Sequence, residues 1–223
     1  MELRVRQQAD APLDSVSRFN PLPVAVQDTL HRTAFNGTPF LADLLWRSTQ
    51  EGRLFVAADG AIGDTVTGQT SFVATTPTFL LRVPAGVVAV PLFLNLDATG
   101  TVAGGPISVG IEADLVDRYA SGGTSEKILN LNRMVNRASA CTVYTNPTAA
   151  TGYGIQLAGM VHDQTIASAS SAPFWRPVAP HPLMGPAALN IFTWAATTGP
   201  TWLWSLGWAE WTLAEFMNTG ETL

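Results

Sequence analysis

Between Phe79 and Asp117 two long apolar segments alternate with a period of two, and this pattern confines the chain to a fold built of β-strands. Val88, Val90, Leu92, Leu94 and Leu96 fall on one face of the first segment; Ile107, Val109, Ile111, Ala113 and Leu115 fall on one face of the second. The connection from Asp97 to Pro106 contains Gly100, Gly104 and Gly105 and little apolar bulk. The two segments are therefore expected to pair as a β-hairpin around an exposed turn. Pro91 lies opposite the aliphatic row and predicts either an edge position or a bulge there.

Shorter segments follow the same logic. Strands are expected from Leu54 to Ala57, from Gln69 to Thr75 paired with Thr78 to Val83, from Ile128 to Met134, and from Cys141 to Tyr144. Another runs to His162, with Ile155, Leu157, Gly159 and Val161 facing inward. Ala188 to Ala195 and Thr201 to Leu213 read as a second hairpin around Thr197-Thr198-Gly199-Pro200. Phe40, Leu41, Leu44 and Leu45 have the spacing of one helical face. Regular short strands separated by turns mean an antiparallel sandwich or barrel. Residues 1–35, broken by Pro12, Pro21 and Pro23, read as an extended N-terminal arm, and residues 36–223 as one all-β domain. The proline-rich stretch from Ser168 to Pro186 is expected to be irregular.

Composition narrows the function classes. Charged residues make up only 13% of the chain, and the formal net charge is -5 with no Lys/Arg cluster, which argues against gripping a nucleic-acid backbone. Polar surface must come from Thr, Ser, Asn and backbone, a surface suited to packing against neighbours. Cys141 is the only cysteine, so no intrachain disulfide or thiolate-rich zinc site can form, and it is expected to be a small buried hydrophobe. Met1 to Gln8 lacks the apolar core of a secretory signal, so the match of Asn36-Gly37-Thr38 to a glycosylation sequon is read as chance. The uncharged run from Pro177 to Ala209 is cut by Gly199-Pro200 into arms too short to span a membrane as a helix.

Few residues suggest chemistry. Lys127 is the only lysine and no phosphate-binding glycine loop is present. His31, His162 and His181 are far apart in sequence, at no ligand spacing. Glu112 and Asp114 project from one side of a strand, with Asp117 beyond. They read as a solvent face, with a β-sandwich hydrolase as the sharper alternative. No cofactor or metal is expected.

The most unusual feature is aromatic: six of the seven tryptophans lie from Trp175 onward. Trp202, Trp204 and Trp208 share one strand parity and Trp211 has the other. These rings can close a core. Alternatively they form a subunit contact, for which Trp175, Trp202, Trp204, Trp208, Trp211, Phe19 and Phe174 are the candidates. A third reading is a glycan-binding module using Trp175, Tyr119 or Tyr153 in the loops.

Asn36-Gly37-Thr38-Pro39-Phe40, then Phe79 to Gly86, Val90-Pro91-Leu92 and the alternating Ile107-to-Asp117 strand resemble jelly-roll structural proteins of tailed bacteriophage particles. Trp208-Ala209-Glu210-Trp211 is similar in style to the closing strand of such proteins. The resemblance covers about Asn36 to Asp117 and the C-terminal part, and carries over no functional residue. It implies a jelly-roll sandwich and a non-enzymatic virion protein assembled in the host cytoplasm. The implied role is a capsid decoration or cement protein acting as a symmetric homo-oligomer, for instance a trimer, on the major capsid protein or other virion proteins. A vertex, collar or tail component is the alternative.

Overall fold

The computed structural model describes residues 45–218 except 60, 62, 100, 101, 103, 104, 151, 153 and 164–173, with only the backbone of Asp163, Phe174 and Asn218. The chain divides into two units, Met1–Trp46 and Arg47–Leu223. The expected arm over residues 1–35, with Phe19 in it, lies outside the described residues.

Residues 45–50 form helix α1. Its end is set by Gly52, whose φ of 66° is costly for any residue with a Cβ. The Arg53 N–H reaches the Ser48 carbonyl at 2.8 Å and the Gly52 N–H the Thr49 carbonyl at 3.0 Å, the paired bonds of a Schellman cap. Strands then dominate. They are β1 (Leu54–Ala58), β2 (Val66–Thr67), β3 (Phe79–Val83), β4 (Val87–Ala98), β5 (Pro106–Asp114), β6 (Tyr119–Ser121), β7 (Thr124–Ser125) and β8 (Ile128–Asn130). They continue as β9 (Thr142–Thr145), β10 (Thr148–Ala149), β11 (Ile155–Asp163), β12 (Phe174–Trp175), β13 (Leu183–Met184), β14 (Ala187–Trp194) and β15 (Thr201–Thr212). Helix α2 (Leu213–Asn218) follows directly. Its start is a capping box: Thr212 N–H donates to Glu215 Oε2 at 2.8 Å, and Glu215 N–H donates to Thr212 Oγ1 at 3.2 Å.

Two antiparallel sheets form a sandwich-like arrangement. The first has the order β12-β4-β15-β1-β8, with β13 also on β4 and β2 on β15; the second has the order β11-β5-β14-β3-β9-β7. Strands β6 and β10 pair separately. Neither expected hairpin exists. β4 belongs to the first sheet and β5 to the second, and β14 and β15 are likewise divided, so each intervening connection crosses from sheet to sheet. A period of two reports a buried face; it does not say which strand lies alongside. Gln69 also departs from expectation. It makes only an isolated parallel bridge to Trp194, and β3 pairs with β14 and β9 instead.

The alternation breaks at two bulges. In β4, Phe93 faces Gly207 but Pro91 faces Trp208, leaving Leu92 without a partner. The extra residue shifts the phase, so Leu94 and Leu96 join the core together with Val87 and Ala89, while Val88 and Val90 turn to the other face. The bulge expected from Pro91 is thus present, inside an interior strand. The proline is tolerated because β13 pairs at Val88 and Ala89 and β12 at Leu94 and Asn95, leaving the stretch between them without a ladder on that side. In β11 the unpaired residue is Leu157. Beyond it Ala158 and Met160 pack toward the core while Gly159 and Val161 are exposed, the reverse of the expected phase.

The core lies between the sheets. Phe55, Ala57, Leu94, Leu96, Trp202, Trp204, Leu206 and Trp208 from the first meet Phe79, Leu81, Ile107, Val109, Ile111, Val143, Leu189 and Ile191 from the second. The Phe79 and Trp204 rings, one from each sheet, have centroids 4.7 Å apart. Cys141 is free and buried at the head of β9, and burial pushes its thiol far above the ordinary value, with the nearby Glu210 adding to the effect. Leu115, expected to continue the buried face of β5, lies beyond the strand end and is 72% exposed.

Candidate interaction surface

The five candidate tryptophans are interior to the single chain. Trp202 and Trp208 are fully enclosed, and Trp175, Trp204 and Trp211 are buried. Trp208 stacks on Phe55 with centroids 6.1 Å apart, and Trp202 donates its indole N–H to Thr193 Oγ1 at 2.9 Å. Trp211, on the opposite face of β15, meets Phe216 of α2 edge-on at 5.8 Å. These five rings therefore fill space within the subunit and leave little surface for a partner. Phe174 pairs through its backbone with Asn95.

Glu210 is a polar anchor the sequence pattern hides. It shares the strand parity of the core-facing Trp204 and Trp208 and is 3% exposed. Its carboxylate accepts from Ser139 Oγ at 2.6 Å, the Ala140 N–H at 2.8 Å, the Cys141 N–H at 3.3 Å and the Trp208 indole at 3.4 Å. Four donors supply what water would otherwise provide, tying the 139–141 segment that leads into β9 of the second sheet to β15 of the first.

The acids singled out on β5 sit on the outer face of the second sheet, in two settings. Asp114 is buried, not solvent-facing as expected, because Arg118 Nε donates to its Oδ2 at 2.6 Å and the Val116 N–H to its Oδ1 at 3.1 Å. Asp117 accepts from Arg82 Nε at 2.7 Å and the Tyr119 N–H at 3.1 Å. The Arg82 guanidinium lies 5.6 Å from the centre of the Tyr119 ring, which stacks on Tyr144 at 4.2 Å. Both acids are thus committed to an arginine and brace the turn after β5. Glu112 is half-buried opposite Asn190, and burial pushes its carboxyl up. His162 is the last residue but one of β11, and His181 is exposed between β12 and β13. Among the described residues no group of three or more His, Cys, Asp or Glu is placed to hold a metal, and no helix is long and apolar enough to cross a membrane.

The surface that stands out is a sheet edge. β11 is nine residues long and, among the described residues, pairs on one side only, with β5. The other margins end in short strands: β7 and β12 have two residues each, and β8 has three. From Ile155 to Val161 the edge has no charge and no proline, and Ile155 and Val161 are 69% and 75% exposed. Natural sheets blunt such edges with charges, Pro or brevity; among the described residues β11 has the bulge at Leu157 and a single charge at its end, Asp163. The sequence signals were Gly159 inside a strand and the missing charges, but edge position itself follows from pairing, which no local pattern reports. No protein-family model, curated protein or solved structure matches the chain.

Proposed function

We propose that the sandwich is a jelly roll and that the chain is a non-enzymatic structural subunit of a tailed-phage particle, in the first instance a capsid decoration or cement protein acting as a symmetric homo-oligomer. The observation that carries this reading is the strand order. Strands β1, β15, β4 and the β12/β13 pair lie side by side in one sheet, and β3, β14, β5 and β11 in the other. Rolling up an eight-stranded antiparallel ribbon produces that order, with β5 and β11 adjacent in the second sheet and the other successive strands of the ribbon alternating between sheets.

The step from fold to virion role is by analogy with the phage proteins that the Phe79-to-Asp117 segment resembles. Physical support comes from the low charge and from a core whose aromatic rings bridge the sheets, traits of a rigid building block. The test is quantitative mass spectrometry of particles purified through a density gradient from the source of the sequence. The chain is expected at a copy number comparable with that of the major shell subunit, and its absence from the particles overturns the reading.

A further inference from the structure

We infer that β11 is a self-pairing edge, through which two copies of this chain join their second sheets into one continuous antiparallel sheet across a twofold axis at Met160. The inference stands apart from the virion reading, since it concerns how the chain assembles and not where.

The backbone of this edge is a template for a further strand. Along β11 the side away from β5 presents peptide N–H and C=O groups with no strand neighbour among the described residues. The side chains specify a second copy. Beyond the bulge at Leu157, the register with β5 is regular from Ala158 to Asp163, and an axis at Met160 within it sets Gly159 of one copy against Val161 of the other. A twofold there preserves the faces of the sheet, so each residue meets one of like parity. Met160 opposes its own symmetry mate on the core side. On the outer face the exposed Val161 of each copy opposes Gly159 of the other, so a protruding isopropyl group covers a position with no side chain. Among the described residues only the end of the exposed Gln156 side chain lies over Gly159, and it can rotate away. The one Asp of the run, Asp163, comes opposite Leu157 of the other copy, so no like charges are opposed.

The experiment uses the full-length chain with cysteine introduced at single positions, Cys141 being buried and so silent. Directly opposed residues in an antiparallel pair have Cα atoms about 4.5–5.5 Å apart, within disulfide reach. Under mild oxidation M160C is expected to give a covalent dimer on a non-reducing gel. V161C, whose own symmetry mate is diagonally displaced, is expected to cross-link at least about tenfold more slowly. In light scattering V161K, at a position already exposed, is expected to weaken self-association about tenfold or more while leaving the circular dichroism unchanged. A chain that stays monomeric at every concentration overturns the inference. So does self-association that V161K leaves intact and M160C fails to trap.

Discussion

Trp202 of β15 donates its indole N–H to Thr193 of β14 at 2.9 Å, so the last long strand of one sheet is pinned to its predecessor in the other. The same threonine hydroxyl lies 2.9 Å from Thr78 Oγ1, and its backbone N–H donates to Thr78 Oγ1 at 3.0 Å. Thr193→Val keeps the shape but leaves the indole N–H enclosed without an acceptor. An unsatisfied buried donor costs about 1–3 kcal/mol. The urea midpoint is expected to fall accordingly, with Thr193→Ser recovering most of the loss. A valine variant as stable as the parent would mean the bond contributes nothing.

Glu210→Leu removes a carboxylate that four donors face. Since hydrogen bonds to charged groups contribute about 1.5–3 kcal/mol each and are not additive, a loss of about 3 kcal/mol or more is expected. Glu210→Gln retains an acceptor but turns an amide N–H₂ toward N–H donors, so its midpoint should lie between the two. Equal stability of the leucine and glutamine variants would show that packing, not hydrogen bonding, holds the 139–141 segment.

Gly207 supports a close approach. A Cβ built there would lie 2.2 Å from the Phe93 ring, which covers the bare backbone from the paired strand. Gly207→Ala is expected to destabilise by about 1–3 kcal/mol through overpacking. Phe93→Leu, which vacates that space, should reduce the added cost of the alanine in a double-mutant cycle. Strictly additive effects would contradict the contact.

Acid should loosen the C-terminal helix. The Arg53 guanidinium, bonded to Glu215 Oε1 at 3.1 Å, holds the Glu215 carboxyl down at about 2, against an ordinary 4.5. A folded value below the unfolded one means the stabilisation is fully present above about 4.5 and is lost as pH falls toward about 2. Because Glu215 is 37% exposed, solvent screening limits this to about 1 kcal/mol. Burial pushes Asp59 and Glu112 the other way, so the informative quantity is the parent-minus-variant difference for Glu215→Gln. That difference should be near its maximum at neutral pH and vanish near pH 2; a constant difference would rule out the ionic origin.

Much of the β-architecture was legible because a half-buried strand alternates, and β4, β5, β9, β11, β14 and β15 all lie where alternation predicts strands. What alternation cannot carry is partnership. The segments around Asp97–Pro106 and Ala195–Pro200 look like hairpin turns because the same residue types serve a turn within a sheet and a crossing between sheets. Phase was misread wherever one residue was added, at Leu92 and Leu157, and was right along β15, where the register shift falls on β4. For Asp114 the acidic side chain pointed to water, and for Glu210 no local pattern named a partner. Their burial depends on donors from Ser139 to Cys141 and on Arg118, whose proximity comes with the fold. The candidate edge was invisible for the same reason.

The position of β15 in the first sheet also dictates the order of events during synthesis. It lies between β1 and β4 and pairs Ala209 with Leu54 on one side and with Val90 on the other, although those strands leave the ribosome long before it. Until β15 emerges, β1 and β4 have no central strand to join them, and the apolar faces of Phe55, Leu94 and Leu96 have no tryptophans to cover them. The sandwich must therefore close in a late, cooperative step governed by long-range contacts. A chain released before Trp202 retains most of its strands and lacks the one that joins them, which makes such fragments prone to aggregate.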